Sequence, residues 1–362
     1  MPGKVVKTLD FFSLFDTFIK YSENGKRLQK NGKKLRSGSV KNYFYLRKLL
    51  HEFSSQKKFE LRIISSSKLA KREFTKEKNY WKKFYNRFTD YLYNDLGHFD
   101  NYVGNNMKML RVFFNFLNDE MGLSTGAFHK NFYVRKEEIQ IIALLPEQLN
   151  FLIYDKEFEN NLEQYLQKTK DIFVFGSTVA LRVSDLLNLK KTNLEIINNE
   201  HYLKVLSKKT QTFTRIKLPN YAVEILKKYK NRYKTLLPPI TNGRLNLNVK
   251  KLMEKTNWTD SVIKTRERRG IQVPVYKNAK SKKHYRFCDM ITSHSMRRTA
   301  ITTMLSLGMP EHIVREISGH AANSKEFFRY VKLSQAYKDR ETEVIFEKLM
   351  QKKLVDKLNA LA

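Results

Sequence analysis

The stretch Thr292-Ser-His-Ser-Met-Arg-Arg-Thr-Ala300, followed by Ser318-Gly-His320 and Arg329-Tyr-Val331, decides how the chain reads. His294 and Arg297 are three residues apart, and the apolar Ile301, Met304 and Leu305 follow them. With Thr292 or Ser293 capping a helix, both side chains lie on one face of its first turns, at the helix end that favours anions. Far upstream, Arg182 stands in Ala180-Leu-Arg-Val-Ser-Asp185. Arginine suits a phosphate because its planar fork donates paired hydrogen bonds and stays charged. A tyrosine, with a pKa of about 10, needs a proton acceptor or nearby cations before it can attack. Each fragment alone is common: His-x-x-Arg occurs on surface helices, and Tyr330 is one of 19 tyrosines. Their order suggests an anion pocket that contains an oxygen nucleophile.

The whole chain agrees with an anionic partner. Its 362 residues carry 69 Lys and Arg against 36 acidic residues, a net charge of +33. Such an excess marks a polyanion partner whose affinity falls as salt rises; codon bias toward lysine is the blander source. No apolar run reaches the ~18 residues of a membrane span, and the start Met1-Pro-Gly-Lys lacks a signal peptide's apolar stretch. The single cysteine, Cys288, excludes an internal disulfide and a cysteine-rich zinc site. A soluble, cytoplasmic protein of two or three domains, with no membrane partner, is expected.

Periodicity organises the rest. Leu9, Phe12, Phe15 and Ile19 predict a first helix beginning by Leu9. Ser37-Gly-Ser39 opens a second with Tyr43, Leu46, Leu50 and Phe53, a third starts near Glu77, and a fourth spans about 101–120. The aromatics at helical spacing read as core. Between the first two helices a Gly/Lys-rich loop carries Lys33, Lys34 and Arg36, with Lys41 just beyond; these are either phosphate contacts or a solvated loop. Residues 1–135 thus read as a helical bundle, 136–143 as a linker and 144–336 as a second domain opening with Pro146 in a first helical turn. Phe173–Leu189 reads as one helix containing Arg182. Leu194–Ile197, His201–Leu206 and Thr214–Leu218, with an Asn198-Asn199 turn, predict a three-stranded antiparallel meander. The stretch from about 238 to 288 reads as irregular; its Lys264–Arg269 and Lys277–Lys283 runs are a DNA-contacting insertion or a solvated loop. Residues 337–362 read as an amphipathic helix with Ile345, Leu349, Leu354 and Leu358.

The segments Ala-Leu-Arg-Val-Ser-Asp-Leu-Leu (180–187), His-Ser-Met-Arg-Arg, Ser-Gly-His and Arg-Tyr-Val, in this order, closely resemble the tyrosine recombinases, or phage-type integrases. The resemblance covers about residues 144–335 and extends weakly to the bundle. It implies a mainly α fold with a small antiparallel sheet: a SAM-like core-site-binding bundle followed by the catalytic domain. It implies that Arg182 and Arg297 hold the scissile phosphate, His294 assists proton handling, His320 hydrogen-bonds a phosphate oxygen and Tyr330 attacks to form a 3′-phosphotyrosyl link. The general-acid lysine lies in the hairpin after the first arginine, here Ser207-Lys-Lys-Thr-Gln-Thr212. Lys209 is chosen, with Lys208 as the alternative because side chains alternate along a strand. The step from His320 to Tyr330 is one residue longer than the commonest family spacing, and Tyr337 is the next tyrosine. Further implications are double-stranded DNA as partner, a homodimer on each site, a homotetramer in synapsis, an accessory DNA-bending or directionality protein, and no metal or cofactor. Residues 337–362 would dock on a neighbouring protomer or pack on their own domain. Integration or excision of a mobile element is the first expectation, and a first helix beginning by Leu9 leaves no room for an arm-site domain, which argues for a simple recombination site. Dimer resolution, a type IB topoisomerase and a non-enzymatic DNA-binding protein are the alternatives.

Overall fold

The computed structural model describes residues 7–29, 31–65, 69–206, 213–321 and 323–333, and positions 339, 342, 343, 346 and 347. Two units share the chain: residues 1–139 with 265–275, and residues 140–264 with 276–362. No helix among the described residues is long and apolar enough to cross a membrane.

In the first unit, β1 (Lys7–Asp10) leads directly into α1 (Phe11–Asn24), and α2 (Ser37–Gln56) follows the lysine-bearing loop. Then come β2 (Arg62–Ser65), α3 (Lys71–Asp90), a π-turn at Tyr91–Asp95 and α4 (Asp100–Asp119). The first helix starts at Phe11, not by Leu9. Asp10 is its cap, accepting from the Ser13 N–H at 2.6 Å, and Leu9 pairs with Ile63 across an antiparallel β1–β2 ladder. Phe15, Phe18, Phe53, Phe84, Phe88, Phe113 and Phe114 are all buried. Phe113 packs at 5.2, 4.7 and 5.6 Å from the rings of Phe11, Phe15 and Phe18, so the aromatic spacing is core packing.

The second unit opens with α5 (Pro146–Tyr154), Pro146 filling the first turn, and continues through α6 (Lys156–Asn160) to the long α7 (Gln164–Val179) and the short α8 (Val183–Leu186). The meander follows in register: β3 (Leu194–Ile197), β4 (Glu200–Leu206) and β5 (Phe213–Lys217). Its first turn is Asn198-Asn199, both at positive φ as a tight hairpin requires. After α9 (Asn220–Tyr229) the expected irregular stretch holds α10 (Asn242–Glu254) and four strands, β6 (Ser261–Val262), β7 (Lys264–Arg268), β8 (Ile271–Val275) and β9 (Tyr285–Arg286). Leu245, Val249 and Leu252 on one face of α10 are buried against the second unit's core, a helical period present in the sequence but masked by surrounding lysines. Residues 265–275, expected inside the 144–336 domain, belong to the first unit instead, because buried carboxylates there hold them. Glu137, expected in a linker, is likewise buried. The chain then runs through α11 (Phe287–Met290), α12 (Ser295–Ser306), α13 (Glu311–Ser318) and α14 (Lys325–Leu333). The amphipathic pattern assigned to 337–362 lies almost wholly outside the described residues.

Candidate active site

Arg182 does not lie within a helix. The apolar pattern of 173–189 is broken at Ala180, which takes a left-handed conformation (φ 52°) and turns the chain between α7 and α8; Arg182 is the residue capping α8. A non-glycine residue there is strained by about 1–2 kcal/mol. The turn is compensated in part by Arg297, whose Nη1 donates to the Ala180 carbonyl at 2.7 Å. The two arginines are therefore tied through the backbone at the end of α7.

Arg297 sits in the first turn of α12, which opens at Ser295, so His294 itself is the capping position and neither Thr292 nor Ser293 fills it. The entry to the helix is fixed on α10: Asn246 Oδ1 accepts from the Ser293 N–H at 3.1 Å, and Ser295 Oγ accepts from Thr292 N–H at 3.1 Å. α12 lies against α7 at Gly176, where an added Cβ would come 2.7 Å from Met296 Sδ and 2.8 Å from Leu186 Cδ2. Gly176→Val is expected to cost about 1–3 kcal/mol by overpacking this contact, read as a lower Tm in thermal denaturation; an unchanged Tm would refute the close approach.

His320 is delivered by Gly319, which ends α13 in the left-handed conformation (φ 62°). Its Nδ1 lies 2.7 Å from Ser318 Oγ, whose hydroxyl can donate to the Val314 carbonyl at 2.7 Å. With that donation, Nδ1–H donates to Ser318 and Nε2 is left as acceptor, 3.1 Å from Arg297 Nη2. Burial, together with the charges of Arg297, Arg182 and Arg315, pushes His320 down to about 3, so the ring is neutral at pH 7. A histidine depressed in the folded state loses stability for the protein as pH falls below the unfolded value of ~6.5 toward the folded one. His320→Gln should therefore flatten the acid side of the Tm-versus-pH curve between about pH 6.5 and 4; an identical slope in both proteins would contradict this environment.

Tyr330 is buried at 2% exposure on α14, in an apolar cluster with Ile301, Leu305, Val314 and Phe327. Its ring centre is 5.9 Å from that of His320, and Phe327 braces the imidazole at 5.5 Å. Burial raises the phenol's pKa, while Arg297 and Arg298 pull it back. Arg297, itself buried, is pushed down to about 10 by burial first and then by Arg182. Two guanidinium groups that repel each other, with a neutral imidazole and a phenol beside them, make a site suited to an anion.

The structure thus gathers Arg182, Arg297, His320 and Tyr330. His294 heads the same helix as Arg297 and is exposed. Lys209 and Lys208, between β4 and β5, lie outside the described residues. Lys33, Lys34, Arg36 and Lys41 are exposed on the first unit around the start of α2, where the Gln29 N–H donates to the Lys33 carbonyl at 2.8 Å and orders the loop. Ser318 and Ala180 were not singled out from sequence, although both stand inside the quoted motifs. Their roles depend on a rotamer and on a backbone turn.

The family model described as the phage integrase family matches residues 167–336. A search of curated protein sequences gives no match. Among solved structures, a dimer of lambda integrase residues 75–356 bound to a core site is similar at 16% identity and TM-score 0.57, over 90% of this chain and 95% of that one. The Tn1549 transposon integrase with circular intermediate DNA is 15% identical at TM-score 0.53, over 89% and 94%. The recombinase XerH in a post-cleavage complex with a palindromic difH substrate is 15% identical at TM-score 0.55, over 91% and 83%. At these identities the likeness is one of fold.

Proposed function

We propose that this chain, whose residues 167–336 match the phage integrase family model, is a tyrosine recombinase that cleaves and rejoins DNA strands site-specifically on a mobile element. The observation that carries this reading is the convergence of Arg182, Arg297 and His320 beside the buried Tyr330. Arg182 and Arg297 hold the non-bridging oxygens of the scissile phosphate and stabilise the charge of the pentavalent transition state. His320 donates to one of those oxygens once Nε2 is protonated; burial and the arginine charges hold the ring neutral in the free protein, and an incoming phosphate offsets those charges. The Tyr330 oxygen attacks phosphorus, the bond from phosphorus to the 5′-oxygen breaks, and the phenolic proton leaves with assistance from His294. Lys209 supplies a proton to the departing 5′-oxygen, giving a 3′-phosphotyrosyl link and a free 5′-hydroxyl. Attack by the 5′-hydroxyl of another strand reverses the sequence, so the ester bond is conserved and no energy source is consumed.

The bundle, with Lys33, Lys34, Arg36 and Lys41, contributes phosphate contacts. By analogy with the dimeric and Holliday-junction-bound tetrameric lambda integrase structures, the protein would act as a dimer on each site and a tetramer in synapsis. Nicked duplexes spanning the junctions of the encoding element would trap the covalent link as an SDS-resistant adduct. Sequence-specific binding without any adduct would reverse this reading in favour of a non-enzymatic DNA-binding protein. Adducts on a chromosomal dimer-resolution site alone would move the role to dimer resolution, and relaxation of supercoils without sequence preference would indicate a topoisomerase.

The proton donor has its own test. Lys209→Ala should slow cleavage by about 10²-fold on ordinary DNA. The rate should return on a substrate whose 5′-bridging oxygen is sulfur, since a thiolate leaves without protonation. The same pattern in Lys208→Ala, and not in Lys209→Ala, would reassign the acid.

A further inference from the structure

A dense polar construction outside the catalytic cluster lies in the first unit, where it holds the hairpin formed by β7 and β8. The Glu137 carboxylate, buried at the end of the first segment, accepts from Arg266 Nε at 3.0 Å and Nη2 at 2.6 Å. It also accepts from the Glu267 N–H at 2.7 Å and the Asn101 N–H at 3.3 Å. The Asp100 carboxylate, at the start of α4, accepts from both N–H groups of the hairpin's two-residue turn, Arg269 and Gly270, at 2.7 Å each, and from the Tyr93 hydroxyl at 2.5 Å. Arg268 donates to the Gly97 carbonyl at 2.9 Å, and the Arg266 and Arg268 guanidiniums lie 4.6 and 5.1 Å from the Phe99 ring centre. Arg269 pairs with Asp90 at 2.9 Å and lies over Tyr93.

Three arginines of a strongly basic chain are therefore committed to carboxylates, a carbonyl and ring faces, Arg266 and Arg268 half-buried and Arg269 at the surface. Both turn residues have positive φ (54° and 81°), as a tight two-residue hairpin turn demands, so the turn N–H groups point outward together and one carboxylate can grip both. Removing either buried carboxylate leaves donors without partners, which fixes the hairpin's place strongly. The chain leaves the second unit after Lys264 and re-enters it at Tyr276, so the docked hairpin adds two covalent crossings to the one at 139/140.

We propose that Glu137, Asp100 and Asp90 form a docking surface for the arginine-bearing hairpin of the same chain, and that this clasp makes the two units engage DNA as one ligand. The proposal rests on the DNA-binding reading above. Joining two binding modules makes the second contact intramolecular, and each constraint on their tether raises its effective concentration. With the clasp open, the units remain linked through 139/140 and a looser loop, and cooperative binding weakens while each unit keeps its own fold.

The test uses the full chain in four forms: Arg266→Glu, Glu137→Arg, the double charge swap, and the isosteric Asp100→Asn in case a reversal fails to fold. Hydrogen exchange of the peptide covering 265–275 reports the clasp directly through the Glu267, Arg269 and Gly270 amides, and the rest of the bundle serves as folding control. Fluorescence anisotropy with a labelled duplex reports the coupling. Each single variant should speed hairpin exchange by about 10-fold or more and weaken duplex binding by about 10- to 100-fold, and the double swap should recover both. Unchanged exchange would overturn the clasp, and faster exchange at unchanged affinity would overturn the coupling. Recovery on mixing the two single charge variants would assign the docking to a second copy and overturn the intrachain arrangement. A wild type that binds no duplex would sink the functional reading and the coupling together, while the exchange data would still decide the clasp.

Discussion

Tyr330→Phe forms no covalent adduct with DNA while binding duplex as tightly as the wild type; this is the largest effect expected of any single change. The substitution removes one oxygen from a side chain buried at 2% exposure among Ile301, Leu305, Val314 and Phe327, and leaves the ring in place. Loss of a buried hydroxyl shifts stability by about 1 kcal/mol, so Tm should move little and anisotropy not at all. Cleavage, in contrast, should fall by at least about 10⁴-fold, because the deleted atom forms the bond to phosphorus and no neighbour replaces it. The wild-type pH profile adds a second signature. Burial holds the phenol protonated at pH 7 against the pull of Arg297 and Arg298, so adduct formation should accelerate as pH rises from neutrality. An adduct that survives in Tyr330→Phe would move the nucleophile elsewhere, and Tyr337→Phe would then be the protein to assay. Without an adduct but with intact binding, the one-residue-longer step from His320 to Tyr330 is accommodated by the family chemistry.

What could be read from sequence was local. The strands Leu194–Ile197 and Glu200–Leu206 around Asn198-Asn199 stand where alternation and turn chemistry place them, because a hairpin needs only neighbours in the chain. The bundle's helices follow from aromatic spacing for the same reason. What could not be read depended on distant partners. Nothing between Phe173 and Leu189 marks a helix break; Ala180 turns left-handed where Arg297, 117 residues away, takes its carbonyl. Leu9 continues an apolar period in sequence but pairs with Ile63 in space. The Lys264–Arg269 run looks solvated or DNA-facing because its carboxylate partners lie far upstream, Glu137 being 129 residues from Arg266. Among the site residues the motif order named the four that converge, and it could not supply the hydroxyl of Ser318 that orients His320.

Arg297→Lys should lower the cleavage rate by about 10³-fold at nearly unchanged duplex affinity, a loss that cannot be ascribed to charge because the charge is kept. What lysine cannot reproduce is the fork. In the resting protein Arg297 spends Nη1 on the Ala180 carbonyl and turns Nη2 toward His320 Nε2 at 3.1 Å, so a single planar group sets both the α7–α8 turn and the imidazole. A lysine ammonium has three donors on one atom and can serve one of those partners or the phosphate, not all together. The same residue also reveals the state for which the site is built. Arg297 is buried with its pKa pulled down to about 10 by burial and by Arg182, so an anion held by both arginines would offset burial and like-charge repulsion together. An anion that enters should therefore stabilise the fold by mass action: inorganic phosphate or sulfate should raise the Tm of the wild type more than that of Arg297→Met. Equal shifts in the two proteins would place the anion elsewhere on this basic surface. A wild-type-specific shift, with the kinetic loss in Arg297→Lys, would assign the scissile phosphate to the fork that also holds Ala180 and His320.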